Sequence, residues 1–429
     1  MKLECARGVR DIDPQDQLIR EKIITEFKTI FSRYGFIPLD TPIIERYDIL
    51  SAKFAAGEES DAMSEVYTLK DNGNRKLGLR FDLTLPLARY VGMNKNLKLP
   101  FKRYQIGKVY RDAPVRAGRY REFTQCDVDI VGTEDMLAEA TCISIAIDAY
   151  KSVGIDVKIQ VNNRSFLTSI IQSNNIPAQK TDSLIMTLDK LDKIGVDGVI
   201  KESSEKGLEE DVVSKIIDLI SVKGSNAEKL SFFRNMLSNN EGLQELEDLF
   251  SYFNNEDPIE FTPTLARGLG YYTGTVFEVV DMHGRLDSSI GAGGRYDNMI
   301  GNYLESEQDF PAVGISFGLD RIVDVLKKLK RTNEKITRTK LFIVPINTKK
   351  ESFAIAQRFR KAGINTDIDM KGRGPSKNFK QANKEGIPYV GVVGEDELAQ
   401  DSITIKEMAS GKESRTDIEK AISLIRNSK

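Results

Sequence analysis

Between Phe123 and Ile130 the chain alternates strictly, with Phe123, Gln125, Asp127 and Asp129 interleaved by Thr124, Cys126, Val128 and Ile130. Successive side chains of a strand point to opposite faces, so this segment must offer an apolar face to a core and a second face carrying an amide and two carboxylates. Arg111, Arg116, Arg119 and Arg121 come just before it, in YRDAPVRAGRYREFTQCDVDIVG. A carboxylate face can hold an amine or an imidazole, and guanidinium groups grip phosphate through paired hydrogen bonds. An exposed sheet face beside a salt-bridged hairpin is the other reading this segment allows by itself.

The bulk properties narrow the choice. A chain of 429 residues predicts two or three domains. Its net charge of −2 gives no global nucleic-acid signature, so such a site has to be a local patch. The start, MKLECARGVRDIDPQD, lacks an apolar secretory core and no run of eighteen apolar residues follows, which predicts a cytoplasmic protein without a membrane span. Cys5, Cys126 and Cys142 are far apart and suggest neither a disulfide framework nor a zinc site. The single histidine, His283, sits in a polar turn and rules out multi-histidine metal centres. Walker A and GxGxxG loops are absent as well, so phosphate would have to be handled by arginines.

Asp13, Pro14 and Asp16 open a helix whose Ile19, Ile23, Phe27, Ile30 and Phe31 recur at helical spacing as far as Gly35. FIPLDTPIIE is extended, and its two prolines favour an edge or an interface. EVYTL, KLGLRFDLT, FKRYQIGKVYR and EFTQCDVDIVG read as strands of a mostly antiparallel sheet, with Asp82 and Thr84 on one face of the second. Residues 165–253 form a helical insertion, after which strands return in RGLGYYTGTVFEVVD and PAVGISFGLDRI. The charged stretch 326–340 reads as a linker, and from 341 to 429 alternating elements predict a small α/β domain with parallel pairing. The expected class is therefore α+β.

Arg267 precedes glycines and the hydroxyls of Tyr271 and Tyr272, and Arg321 follows a glycine-rich strand. Together these segments resemble the histidyl-tRNA synthetase family of class II aminoacyl-tRNA synthetases, over nearly the whole chain. FIPLDTPIIE resembles the first class motif, with Pro42 at its dimer interface; YRDAPVRAGRYREFTQCDVDIVG resembles the second and VGISFGLDRI the third. LRFDLTLPLARY and RGLGYYTGTVFE resemble the histidine-specific signatures.

The resemblance implies a catalytic domain over 1–325 and an anticodon-binding domain over 341–429. It implies ATP and Mg²⁺, with no metal held by protein side chains. Arg111 would grip the α-phosphate, Phe123 would stack on adenine, Arg321 would hold the γ-phosphate end, and Asp112 and Arg119 would complete the ATP site. Arg267 would contact the α-phosphate and the histidine carboxylate; Arg267, Arg111 and Arg321 are the implied catalytic set. Asp82, Thr84 and Gln125 would hold the amino group of L-histidine, while Asp129 and Tyr272, with Tyr271 beside them, would read the imidazole. Two positions depart from the family pattern: Ala113 stands where a Glu meets adenine, and Gly270 replaces the Asp of RGLxYY.

Residues 338–429 hold 18 basic and 12 acidic residues, a net +6 that leaves −8 on the remainder. Ser376 and Gly386 bracket a helix on which Lys377, Lys380 and Lys384 share one face, either solvated or tracking phosphates of tRNA(His). Arg116 and Arg119 are placed for the tRNA acceptor end. The implied activity is histidine–tRNA ligase, in a homodimer. Two rivals are a histidine-binding regulatory paralogue and a sensor of uncharged tRNA. Both conflict with the intact set of Arg111, Arg267 and Arg321, the former also with the C-terminal domain.

Overall fold

A computed structural model describes residues 2–52, 65–115, 119–237, 239–267, 271–286, 288–303, 310–329 and 337–427. The chain divides into two compact units, one of residues 1–11 and 20–328, the other of 12–19 and 329–429.

The larger unit is built on an eight-stranded sheet. Its strands, in spatial order, are β1 (Ile37–Pro38), β5 (Phe101–Tyr110), β6 (Glu122–Val131), β11 (Ala312–Gly318), β10 (Gly291–Arg295), β9 (Thr275–Asp281), β7 (Val157–Asn163) and β8 (Ile259–Phe261). The two end pairings are parallel and the five between them antiparallel. Proline lacks the ladder N–H, which suits Pro38 to the edge strand β1. A second, three-stranded sheet pairs β2 (Ile44–Arg46), β4 (Lys76–Leu79) and β3 (Thr68–Lys70).

One face of the large sheet is apolar and covered by two helices, Leu137–Ser152 and the part of Pro14–Arg33 from Arg20 onward. Asp13 Oδ1 accepts from Asp16 N at 2.9 Å and so satisfies one of the donors a helix start leaves free. Gly35 closes the same helix at φ +79°, a left-handed conformation that costs glycine little. Phe27, Phe31 and Tyr150 converge on Phe317 of β11 with ring centroids 5.2, 5.7 and 5.6 Å away. Cys126, Val128 and Ile130 lie within this core, as period two requires.

Six helices lie between β7 and β8: Arg164–Ser173, Ala178–Leu188, Leu191–Glu205, Glu210–Ile220, Asn226–Met236 and Glu241–Ser251. They bring the chain back to the sheet in the direction it left, which is why β7 and β8 pair in parallel.

The smaller unit carries β12 (Leu341–Pro345), β13 (Thr366–Ile368), β14 (Tyr389–Val393), β15 (Ser402–Glu407) and β16 (Glu413–Asp417), in the order β13-β12-β14-β15-β16. The first three pair in parallel through the helices Lys349–Lys361 and Pro375–Glu385.

Two local expectations need correction. KLGLRFDLT is not one strand: β4 stops at Leu79 and Thr84 opens a helix, Thr84–Met93. Asp82 Oδ1 accepts from Leu85 N at 3.0 Å, and Pro86 sits in the first turn, where a missing N–H costs nothing. Ser376 does not cap its helix; Gly374 holds that position with Pro375 following, while Gly386 closes the end at φ +74°. The helix Leu319–Lys328 also runs into the stretch read as a linker. No described helix is long and apolar enough to cross a membrane.

Candidate active site

The second face of the large sheet is polar and lines a cavity of about 910 Å³. Strand register explains its composition. Gln105, Asp127, Ser316, Ala292, Glu278 and Gln160 stand in one row across β5, β6, β11, β10, β9 and β7. Two residues along, the next row runs Arg103, Asp129, Gly314, Gly294 and Val276.

The glycines of that second row make room for the side chains above them. A Cβ on Gly314 would lie 2.1 Å from Asp129 Oδ1, and one on Gly294 would lie 2.8 Å from the Tyr272 ring. Asp129 is 3% exposed, and its Oδ1 accepts the Tyr296 hydroxyl. Arg103 Nη2 lies 2.8 Å from Asp129 Oδ2 but directs its hydrogen bond to Leu83 O at 3.0 Å, so Oδ2 is left without a donor. Burial pushes the Asp129 carboxyl up, and Arg103 and Tyr296 pull it back only in part.

Asp127 is also buried, with Oδ1 unpartnered. Burial first, then the neighbouring charges of Asp129 and Asp82, push its carboxyl up to about 7, against the pull of Arg103 and Ser316. Gln125 donates Nε2 to Ser316 Oγ at 2.6 Å and leaves Oε1 unpaired. Two buried carboxylates, Asp127 and Asp129, thus face the fully buried cation of Arg103, and the charge of Asp82 acts on both of them. This end of the cavity suits a ligand bearing donors and positive charge.

The other end carries guanidinium groups. Arg111 lies over Phe81 at 4.2 Å and Phe123 at 5.2 Å, and its Nε donates to Phe81 O at 3.3 Å. Arg119 pairs with Glu65 at 2.9 Å, Arg267 pairs with Glu278, and Arg321 donates to the Ser289 carbonyl. Burial, then the nearby positive charges of Arg267 and Arg119, lower the pKa of Arg321. Like charges this close repel one another, so an anion entering among them would be stabilised.

Eleven of the sequence-predicted residues line this one cavity: Asp82, Thr84, Arg111, Arg119, Phe123, Gln125, Asp129, Arg267, Tyr271, Tyr272 and Arg321. Asp112 does not; its carboxylate pairs with Arg121 at 2.8 Å, because the backbone N–H of Asp112 is fixed on Glu65 O. Arg116 and Gly270 lie outside the described residues. Lys377, Lys380 and Lys384 are exposed on their helix in the smaller unit. The sequence reading passed over Glu65, Arg103, Glu278, Tyr296 and Ser316. The signal for Glu278 was available: it is the one charge in the otherwise apolar run TVFEVV. His283 is exposed in a turn, with Nε2 3.3 Å from Asp156 Oδ2.

An antiparallel sheet whose polar face joins an arginine-lined anion site to an amino-acid-sized carboxylate pocket, followed by a separate α/β unit, defines a class II aminoacyl-tRNA synthetase. A family model described as "Histidyl-tRNA synthetase" matches residues 8–322, and one described as "Anticodon binding domain" matches 340–428. Histidine--tRNA ligase 1 of Bacillus cereus (strain ATCC 10987) is 42% identical over 421 residues, covering 96% of this chain and 95% of the relative. Histidine--tRNA ligase of Clostridium tetani is 37% identical, covering 98% of this chain and 97% of the relative. The crystal structure of histidyl-tRNA synthetase from Nostoc sp. PCC 7120 is similar with a TM-score of 0.85 and 29% identity, over 99% of both chains. A structure from Bacillus halodurans C, titled as an ATP phosphoribosyltransferase regulatory subunit/histidyl-tRNA synthetase, has a TM-score of 0.75 at 22% identity and shows the fold alone. The chain belongs to the histidyl-tRNA synthetase family. Its activity is that of a histidine–tRNA ligase: ATP activates L-histidine to the adenylate with release of pyrophosphate, and transfer to tRNA(His) releases AMP.

Proposed function

We propose the following division of labour for histidine–tRNA ligation in this cavity. The observation that carries it is the polarity of one continuous site, with carboxylates at one end and arginines at the other. Asp129 and Tyr272 read the two imidazole nitrogens, with the Tyr271 ring against Tyr272 at a centroid distance of 4.6 Å. The Asp129 carboxylate, ion-paired with Arg103 at 2.8 Å and lining the cavity, is the acceptor for an imidazole N–H. A competing side chain without that N–H would enter a desolvated polar pocket without making its hydrogen bond, which is how such a pocket discriminates. Asp82, Thr84 and Gln125 hold the amino group, and Asp127, which lines the same end of the cavity, joins them.

Phe123 stacks on adenine, Arg111 holds the α-phosphate, and Arg321 holds the γ-phosphate end, with Arg119 beside them. Arg267 bridges the histidine carboxylate and the α-phosphate. The carboxylate attacks phosphorus in line and pyrophosphate leaves; the terminal hydroxyl of tRNA then takes the acyl group and AMP departs. The enzyme's contribution is positioning together with stabilisation of charge developing on the phosphate. Among the described residues no group of three or more candidate ligands is placed to hold a metal, and Glu65 and Glu278 are both paired with arginines. Mg²⁺ would enter with the ATP substrate and help neutralise charge on its phosphates.

The catalytic part spans 1–325 and the anticodon-binding part 341–429, joined by 326–340. Lys377, Lys380 and Lys384 track tRNA phosphates, and Arg116 and Arg119 face the acceptor end. A homodimer through the first motif is supported by the open edge of β1 and by Ile37, Ile43 and Ile44, exposed by 54%, 42% and 50%. The cytoplasm is the compartment that supplies these substrates.

Histidine-dependent ATP–pyrophosphate exchange tests the scheme. Arg267→Ala should reduce the exchange rate by about 100-fold or more with the fold retained. An unchanged rate would remove Arg267 from the reaction.

A further inference from the structure

The segment before the first helix makes contacts that none of these roles uses. Arg10 lies 3.9 Å over the Tyr120 ring and donates Nη1 to the Tyr120 hydroxyl at 2.8 Å. Its Nη2 donates to Asp320 Oδ1 at 3.0 Å. The same oxygen accepts Arg20 Nη1 at 2.8 Å, and Asp320 Oδ2 accepts Thr124 N at 3.0 Å. Burial alone would push the Asp320 carboxyl up; Arg20, the Thr124 N–H and Arg10 outweigh it and hold the carboxyl below its ordinary range.

The same segment also supports the backbone that carries Arg111. Gly8 O accepts Arg121 N at 2.9 Å, and Arg121 O accepts Arg111 N at 2.9 Å. Gly8 has φ +84°, and a Cβ there would lie 2.7 Å from Arg121 Cδ and 2.8 Å from Val115 Cγ2, so the strap is seated closely on that backbone.

Neither Arg111 nor Arg321 has a carboxylate ion-pair partner among the described residues, so the backbone that carries each one has to set its place. Tyr120 and Thr124 flank Phe123, and Asp320 directly precedes Arg321. Tyr120 and Asp320 line the cavity, whereas Arg10 does not.

We infer that Arg10 is a positioning residue for ATP: it ties the Tyr120–Thr124 segment behind the adenine to the Asp320–Arg321 corner at the triphosphate end, and so fixes the spacing between two grips on one nucleotide. The inference rests on Phe123, Arg111 and Arg321 forming the ATP site.

The test measures histidine-dependent ATP–pyrophosphate exchange on the full chain, with KM for ATP and KM for histidine determined separately. Arg10→Ala should raise KM for ATP about 10-fold, since the site is loosened rather than removed, and leave KM for histidine within about 2-fold. Arg10→Lys should recover part of the loss, because an ammonium can still reach Asp320 but cannot lie flat on the ring. Tyr120→Phe removes the hydroxyl that accepts Arg10 Nη1 and keeps the ring beneath it, so it should raise KM for ATP less than Arg10→Ala, and the double variant should be no worse than Arg10→Ala alone. An unchanged KM for ATP, an equal rise in both KM values, or multiplying effects of the two substitutions would each overturn the inference. If Arg10→Ala fails to fold, Arg10→Lys and Tyr120→Phe decide by the same criterion. Arg321→Ala is the control: if it leaves KM for ATP unchanged, the ATP-site reading fails and takes the inference with it. If Arg321→Ala raises KM for ATP and Arg10→Ala does not, the inference alone fails.

Discussion

Replacing Asp127 by Asn should make the protein more stable at pH 8 and poorer at binding histidine. Asp127 is 4% exposed, and the charged groups acting on it are Arg103, Asp129, Asp82 and Arg80. Its carboxyl is raised from 3.8 to about 7. Below about pH 4 the side chain is protonated in folded and unfolded chains alike and costs nothing. Between pH 4 and 7 the unfolded chain ionises it and the fold does not, so the fold binds the extra proton and loses stability as pH rises. Above pH 7 the full difference applies, about 4 kcal/mol at 1.36 kcal/mol per pKa unit. Asn keeps the shape and removes this dependence. Urea unfolding of both proteins at pH 5 and pH 8, without ligands, reads the effect directly. The wild type should lose about 3 kcal/mol relative to the variant across that interval, since the unfolded carboxyl is already mostly ionised at pH 5. Histidine affinity should move the other way, weakening about 10- to 100-fold as the charge-assisted bond from the amine becomes a bond to a neutral amide oxygen. Parallel pH dependence in the two proteins would refute the claim that Asp127 is held protonated by its surroundings.

Other substitutions probe separate parts of the site. Gly314→Ala places a methyl group 2.1 Å from Asp129 Oδ1, so Asp129 must shift; histidine-dependent exchange should fall at least 100-fold while ATP binding, measured by calorimetry, persists. Glu278→Gln removes the charge that holds Arg267 and should lower kcat about 10-fold or more, with no further loss when combined with Arg267→Ala. Replacing Lys377, Lys380 and Lys384 together by Ala should raise KM for tRNA in aminoacylation and flatten its salt dependence by roughly two to three counterions. Histidine activation without tRNA should stay at the wild-type rate in that variant.

The site was legible where chemistry coincides with a short local pattern. Period two in FTQCDVDIV correctly sorted Cys126, Val128 and Ile130 to the core and Gln125, Asp127 and Asp129 to the cavity, because strand geometry leaves no other choice. Thr84 was placed in the right cavity on the wrong element. Its local sequence is compatible with a strand until the Asp82 cap and Pro86 commit the backbone to a helix. Ser376 was read as a cap from residue type, yet the preceding Gly374-Pro375 already starts the turn. The end of the chain, with β15, β16 and the helix Ile418–Asn427, carried no pattern that the sequence reading resolved.

By itself the sequence determined which side chains could do chemistry, that arginines rather than histidines are the groups available to meet a phosphate, and which face of the strand Phe123–Ile130 they occupy. Those are consequences of residue type and of backbone periods that act over a few residues. Only the tertiary structure decided that Arg103 sits against Asp127 and Asp129, that Glu278 pairs with Arg267, and that Arg10 and Arg20 share Asp320 some 300 residues away. Burial and charge pairing depend on which strands become neighbours and in what register, and a local pattern does not contain that information. The raised carboxyl of Asp127 belongs to the same group, for its chemistry is set by residues that reach it from other strands.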